Sequence, residues 1–314
     1  MTALVLVSNL GGGIARHLDL TRSVRPLSVV ELPENLSLPD KVRQVRGLLR
    51  EPDHTAVITH GVAAGLAVRL SHDARRLRHT EFWHGDPFFN SGRRRSLYRA
   101  LARVGRVPAQ QVFTHEWLRT VYRAAGSKTE VLPNAVPVPA QTPPPAASPH
   151  MTYVGRLSAE KGYADLLAAW VASSAAEAGW VLEIHGDGPL ETLPLPTGAH
   201  AFGHSPTPLV AMTAGRLVVV PSRTETGPYV ALEAASLARP IIGTRVGDMP
   251  DLLASGGLLS RPSDVPDLTD AIGRAVRLSS EDLQHIGRQG HAWLVANRPF
   301  DQWQARVAGM YDAG

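Results

Sequence analysis

The sequence contains no cysteine, which excludes disulfides, thiol nucleophiles and thiolate metal ligands and agrees with a reducing compartment. Lysine is nearly absent, with Lys41, Lys128 and Lys161 the three among 32 basic residues. Arginine is preferred along the whole chain, so arginine number alone carries no functional weight. No apolar run approaches the roughly 18 residues needed to cross a bilayer. The opening stretch MTALVLVSNLGGG has no basic residue before its apolar core and is cut short by glycines. A first strand is expected there rather than a secretory leader, and with it a cytoplasmic protein. No His, Asp and Glu grouping has metal-ligand spacing, so no metal is expected.

At 314 residues with 44% hydrophobic and 19% charged residues, the chain is long enough for two domains with separate cores. Its net charge of +4 is unevenly distributed: 20 basic and 11 acidic residues before position 151, and 12 and 17 after it. The first half should therefore attract anionic partners. Nucleic acid is not expected among them.

The first half alternates apolar runs with helical patterns: ALVLVSNL, PLSVVELP, HTAVITHG, HTEFWHGD and QQVFTHEWL. The second half restarts the rhythm with HMTYVGRL, GWVLEIHGDGPL, AHAFGHS, RLVVVPS, RPIIGTRVG and GGLLSR. Such alternation predicts α/β architecture with parallel sheets, in which ligands gather at the carboxyl ends of strands. Between the halves, residues 133–149 contain seven prolines and read as a linker. The expected domains are 1–148, including that linker, and 149–296. A closing helix over 297–314, with Phe300, Trp303, Val307 and Met310 spaced for one face, could cross back to the first domain.

Chemistry-bearing residues cluster at predicted strand ends. In YVGRLSAEKG, Arg156 follows the strand directly and Lys161 comes five residues later. Two cations at one strand end suit a diphosphate, whose charge they can neutralise without a metal, although two solvated loop cations would look the same. In PSRTETGPYVALEAASLARPIIGTRVGDMPDLL, Glu225 lies past a strand and Glu233 on the next helix, an E-x7-E spacing. Carboxylates there accept hydrogen bonds from vicinal hydroxyls, and the helix N-terminus offers amides to phosphate.

In their order and spacing, YVGRLSAEKG, IHGDGPL, AFGHS and PSRTETGPYVALEAASLARPIIGTRVGDMPDLL resemble the retaining GT-B glycosyltransferases, in particular family 4 (group 1). The resemblance spans most of residues 150–314. It implies two Rossmann-like domains facing a cleft, a nucleoside diphosphate sugar as donor substrate, and an unidentified acceptor, whether glycan, lipid or secondary metabolite. No cofactor is implied. Arg156 and Lys161 would hold the diphosphate, Glu225 the transferred sugar, and Glu233 the ribose. Gly227, Pro228 and Tyr229 would open the helix beside them, and the backbone at Phe202, Gly203 and His204 would lie near the base. Pro228 departs from the glycine-rich turn of many relatives and lacks an amide hydrogen, so contacts from this turn must be fewer or shifted.

In the first half, Gly11, Gly12 and Gly13 follow the first strand and allow close approach of a ligand to the backbone. The rival, a dinucleotide fingerprint ending on Glu31, is weakened because Arg16 stands where the third glycine belongs. His84 and Asp86, at the end of HTEFWHGD, match the histidine that in this family approaches the transferred sugar and a group able to accept the acceptor proton. A structural histidine is the alternative. His60, His115 and Glu116 occupy comparable strand ends. Finally, SGRRRSLYRALARVGRV sets Arg95, Arg99 and Arg103 opposite Leu97, Leu101 and Val104, a pattern that fits either a helix packed on the sheet or one lying on an anionic membrane surface. Two other readings of the chain stay open: a nucleotide-sugar binding protein without catalysis, and a GT-B sugar epimerase.

Overall fold

The short β-branched runs form two six-stranded sheets, one in each half of the chain. The structure is a computed structural model that describes residues 2–8, 11–24, 26–50, 54–85, 105–144, 148–205, 207–254 and 257–312. The chain divides into a unit of residues 1–134 with 301–314 and a unit of residues 135–300. Asp86 and most of the basic stretch with Arg95, Arg99 and Arg103 lie outside the described residues.

In the first unit, β1 (Thr2–Val7), β2 (Val29–Glu31), β3 (His54–His60), β4 (Arg78–Trp83), β5 (Gln110–Phe113) and β6 (Lys128–Val131) stand in the order β2-β1-β3-β4-β5-β6. In the second, β7 (His150–Val154), β8 (Val181–His185), β9 (Ala199–Ala201), β10 (Leu217–Val220), β11 (Ile241–Thr244) and β12 (Leu258–Ser260) stand in the order β12-β11-β10-β7-β8-β9. Every pairing is parallel. Strand order reverses between β1 and β3 in one sheet and between β7 and β10 in the other, and such reversals open crevices at the carboxyl ends of the strands.

Eleven of these strands coincide with the apolar runs of the sequence. The exception is β6, KTEV, an edge strand with an exposed Lys128 and half-buried followers. Charge on an edge strand blunts unwanted pairing and also removes the hydrophobic signal. Its Glu130 accepts hydrogen bonds from Gln110 (3.0 Å) and Arg306 (2.6 and 3.1 Å), which ties the closing helix Phe300–Asp312 to this edge. On that helix Trp303, Val307, Met310 and Tyr311 are buried.

The central strands are buried along their length, as parallel strands covered on both faces must be. LVVV of β10 is the clearest case. Around it pack Tyr163, Leu166 and Trp170 from helix Tyr163–Ala172 and Leu268, Ile272 and Ala275 from helix Val265–Arg277. The latter helix starts where the Asp264 carboxylate accepts the Asp267 amide (3.0 Å), a cap that satisfies one orphan donor.

One buried cation closes the start of the second unit. Arg239, 1% exposed, donates to the carbonyls of Met212, Leu237, Thr213, Pro143 and Pro144 at 2.9–3.2 Å. Proline-rich backbone has carbonyls in excess of amides, and the guanidinium supplies five donors in one plane. Arg239→Ala should therefore strand several buried acceptors and destabilise the second unit by about 3 kcal/mol or more, read as a lower denaturant midpoint. A loss of under about 0.5 kcal/mol, the ordinary effect of a surface substitution, would show that water replaces the guanidinium.

Candidate functional site

The site of the second unit is built on the two loops at its strand reversal. After β7 the chain runs through Gly155, Arg156, Glu160 and Lys161 into helix Tyr163–Ala172; after β10 it runs through Ser222, Arg223 and Glu225 into helix Tyr229–Ser236. Three contacts clamp the loops together. Arg223 forms a two-pronged ion pair with Asp165 (2.8 and 2.6 Å), and its amide donates to the Glu160 carbonyl (2.8 Å). Lys161 Nζ donates to Glu225 Oε1 at 2.5 Å. Ser222 Oγ donates to the same oxygen (3.1 Å). Gly162 makes the approach possible: its φ is +67°, and a Cβ there would lie 1.9 Å from the Pro221 carbonyl oxygen.

Burial disfavours the Lys161 cation, but the Glu225 charge and hydrogen bond, with Glu160, outweigh it and raise its pKa. The ammonium is therefore secured at any ordinary pH. Arg156 is exposed, and its guanidinium has no ion-pair partner among the described residues. Its carbonyl accepts the Tyr153 hydroxyl (2.8 Å). Glu233 is 4% exposed on helix Tyr229–Ser236, with Pro228 at the N-cap position and Tyr229 its first residue. Gly227 is buried. Gly203 has φ +70°, and its carbonyl accepts the Gly186 amide (2.8 Å). Beside it Phe202, 59% exposed, stacks on His185 at 5.0 Å.

The sequence reading named Lys161 and Glu225 separately and did not foresee that they pair. It also missed Asp165, Arg223 and Gly247. At Gly247, φ +51°, a Cβ would meet the Thr226 carbonyl oxygen at 2.1 Å, and the Asp248 amide donates to that same oxygen (2.8 Å). The glycine in TRVGDMP was the available signal, since glycine between patterned segments punctuates local structure.

In the first unit the strand reversal carries histidines. Helix Gly12–Arg22 begins at Gly12, φ +57°, with Gly11 at its N-cap position and Gly11, Gly12 and Gly13 exposed. His17 on this helix, His60 at the end of β3 and His84 just past β4 present ring nitrogens within 4.8 Å of one another. His60 Nδ1 and His84 Nε2 share a hydrogen bond of 2.8 Å, and His60 Nε2 and the Tyr311 hydroxyl another of 2.8 Å. Burial lowers the pKa of all three, His84 to about 4, and the His84 charge adds to the lowering of His17 and His60. Nothing in the sequence distinguishes His17 among thirteen histidines. His115, by contrast, caps helix Glu116–Tyr122 by accepting the Trp117 amide (3.2 Å), and Glu116 pairs with Arg119 on the surface.

Residues 148–277, which hold Arg156, Lys161, Glu225 and Glu233, match the family described as glycosyl transferases group 1. This segment is similar to the group 1 glycosyltransferases. The chain is similar to 2-deoxystreptamine N-acetyl-D-glucosaminyltransferase of Streptomyces fradiae, 36% identical over 149 residues, which are 42% of this chain and 35% of that protein. The match thus spans about a third of the relative's length. Among solved structures it superposes on HepE of Anabaena in complex with UDP (TM-score 0.74, 15% identity, 100% of both chains). It also superposes on sucrose-phosphate synthase of Thermosynechococcus elongatus (TM-score 0.78, 16% identity, 100% of this chain and 99% of that one). The fold is GT-B, with two Rossmann-like domains. Among the described residues, no helix is long and apolar enough to cross a membrane.

Two outcomes follow. Gly162→Ala in the second unit should force the loops apart, destabilising the protein by about 1–2 kcal/mol from backbone strain alone; an unchanged denaturant midpoint would mean the left-handed geometry is dispensable. The lowered histidine pKa values also set a sign. Between the unfolded value of 6.5 and the lowered folded values, about 4 for His84, the unfolded chain binds protons that the folded one does not, so stability falls as pH falls through this window. Each such histidine contributes a slope of up to about 1.4 kcal/mol per pH unit. Unfolding followed by tryptophan fluorescence should therefore shift to lower temperature from pH 7 to pH 5, whereas a flat profile would show that the three rings protonate freely.

Proposed function

We propose that the protein transfers a sugar from a nucleoside diphosphate sugar to a hydroxylated acceptor, with retention of anomeric configuration and without a metal on the diphosphate. The observation that carries this reading is the Lys161–Glu225 pair at the strand reversal of the second sheet, with the exposed Arg156 on the same loop as Lys161. The ammonium has three donors and its charge is held by Glu225, so Lys161 can turn toward a diphosphate without changing protonation state. Glu225 then accepts hydroxyls of the transferred sugar. Arg156, Lys161 and the helix opening at Gly227, Pro228 and Tyr229 neutralise the charge that grows on the departing phosphate.

Glu233 is assigned to the ribose hydroxyls, Gly203 and its neighbours to the base, and the glycines Gly12 and Gly13 to close backbone approach. His84 is given to the transferred sugar and Asp86 to the acceptor hydroxyl. The UDP and UDP-glucose bound by HepE support a uridine donor as the first to test. The aminosugar named in the Streptomyces relative supports including N-acetylglucosamine among the donors.

The test is a thermal-shift panel of UDP, GDP, ADP, TDP and their sugar conjugates, followed by turnover with candidate acceptors. A ligand at a hundred times its Kd should stabilise by about 2.7 kcal/mol, and Glu233→Ala should abolish that response. Lys161→Ala should lower donor turnover by about 100-fold or more while leaving the fold intact. Wild-type turnover in both variants would overturn the assignments. Release of nucleoside diphosphate only when acceptor is present marks transfer, donor altered without acceptor marks epimerisation, and binding without either marks a sensor.

A further inference from the structure

Three histidines of the first unit converge at its strand reversal. We propose that His17, His60 and His84 form a binding site for one divalent transition-metal ion of the imidazole-preferring class, such as Zn2+ or Co2+, with Tyr311 as the outer partner that orients His60. Three observations carry it. The rings come from three separate elements: the helix Gly12–Arg22, the end of β3 and the end of β4. Their ligand atoms already lie within 4.8 Å of one another, with His60 Nδ1 and His84 Nε2 at 2.8 Å. Two nitrogens bound tetrahedrally at zinc–nitrogen distances sit about 3.3 Å apart, so these spacings bracket the required value and ring movements of roughly an ångström reach it.

The third observation is the outer partner. A histidine that binds metal through one nitrogen usually donates its other N–H to a fixed acceptor, which sets its tautomer and orientation. His60 meets this condition, since Nε2 is 2.8 Å from the Tyr311 hydroxyl oxygen while Nδ1 faces His84. Beyond those ring movements, loading the site needs a change of tautomer. The proton now shared between His60 Nδ1 and His84 Nε2 moves to a nitrogen facing away from the ion, and no proton leaves the site. The rings are held by packing rather than by chance: His60 stacks on Phe82 at 4.7 Å, and His17 meets Trp303 edge-on at 5.2 Å.

Ligand chemistry sets the class. The cluster offers imidazole alone, without carboxylate or thiolate, which suits zinc, cobalt, nickel or copper and disfavours magnesium or calcium. Metal binding stands independently of the transferase reading. One consequence rests on that reading: an ion that takes His84 removes it from the transferred sugar, so metal and turnover oppose each other.

Cobalt is titrated into chelator-treated full-length protein carrying no affinity tag, followed by visible absorption and calorimetry, with magnesium as the control. The expected result is saturation at one equivalent with the intense absorption of a low-coordinate imidazole site, no response to magnesium, and a higher melting temperature. His17→Gln should abolish the response, and Tyr311→Phe should weaken it about tenfold or more. Only the pale spectrum of hydrated cobalt in the wild type, or unchanged binding in a folded His17→Gln protein, overturns the proposal. Should His17→Gln fail to fold, the wild-type spectrum and Tyr311→Phe decide it. Inhibition of donor turnover by zinc, relieved by chelator, tests the consequence separately; bound metal without inhibition would remove His84 from the sugar and leave the metal site standing.

Discussion

The geometry of the second unit depends on one constraint: the loops leaving β7 and β10 must lie against each other at the point where strand order reverses. The Arg223–Asp165 ion pair provides the clamp, and Gly162 provides the room. A partly buried ion pair contributes little net stability once desolvation is counted, and its value is positional. It holds Lys161 and Glu225 within bonding distance, so that an ammonium and a carboxylate meet where the strand order reverses.

The same topological device appears in both units with different chemistry. At the reversal of the second sheet the residues are charged and partly open to water, as suits recognition of a charged, hydroxylated molecule. At the reversal of the first they are neutral imidazoles packed among Phe82 and Trp303, and burial keeps protons off them. The closing helix matters here as much as the strands, because Tyr311 completes the hydrogen-bond chain through His60 to His84 while Arg306 fastens the helix to β6. Parallel sheets place side chains from distant segments together at strand ends, and what gathers there is set by loop sequence rather than by the sheet.

Much of the fold was legible because buried parallel strands must be apolar along their length, and LVVV or LVLV can scarcely be read otherwise. The strand β6 was not, since an edge strand carries charge. Of the candidate site, Arg156, Lys161, Glu225 and Glu233 were legible from motif order and from their places after strands. Asp165 and Arg223 were not, since an ion pair spanning 58 positions leaves no local signature. His115 shows the converse: its strand-end position suggested chemistry, and its contacts assign it to a helix cap.

The sequence by itself determined the alternation of strands and helices and the residue types available to each strand end, because hydrophobic periodicity and backbone chemistry are local properties. Only the tertiary structure decided which of those residues meet. The Lys161–Glu225 pair, the five carbonyls on Arg239 and the convergence of His17 with His60, His84 and Tyr311 each join segments far apart in the chain. Such encounters follow from strand order and loop closure, which no single stretch of residues encodes.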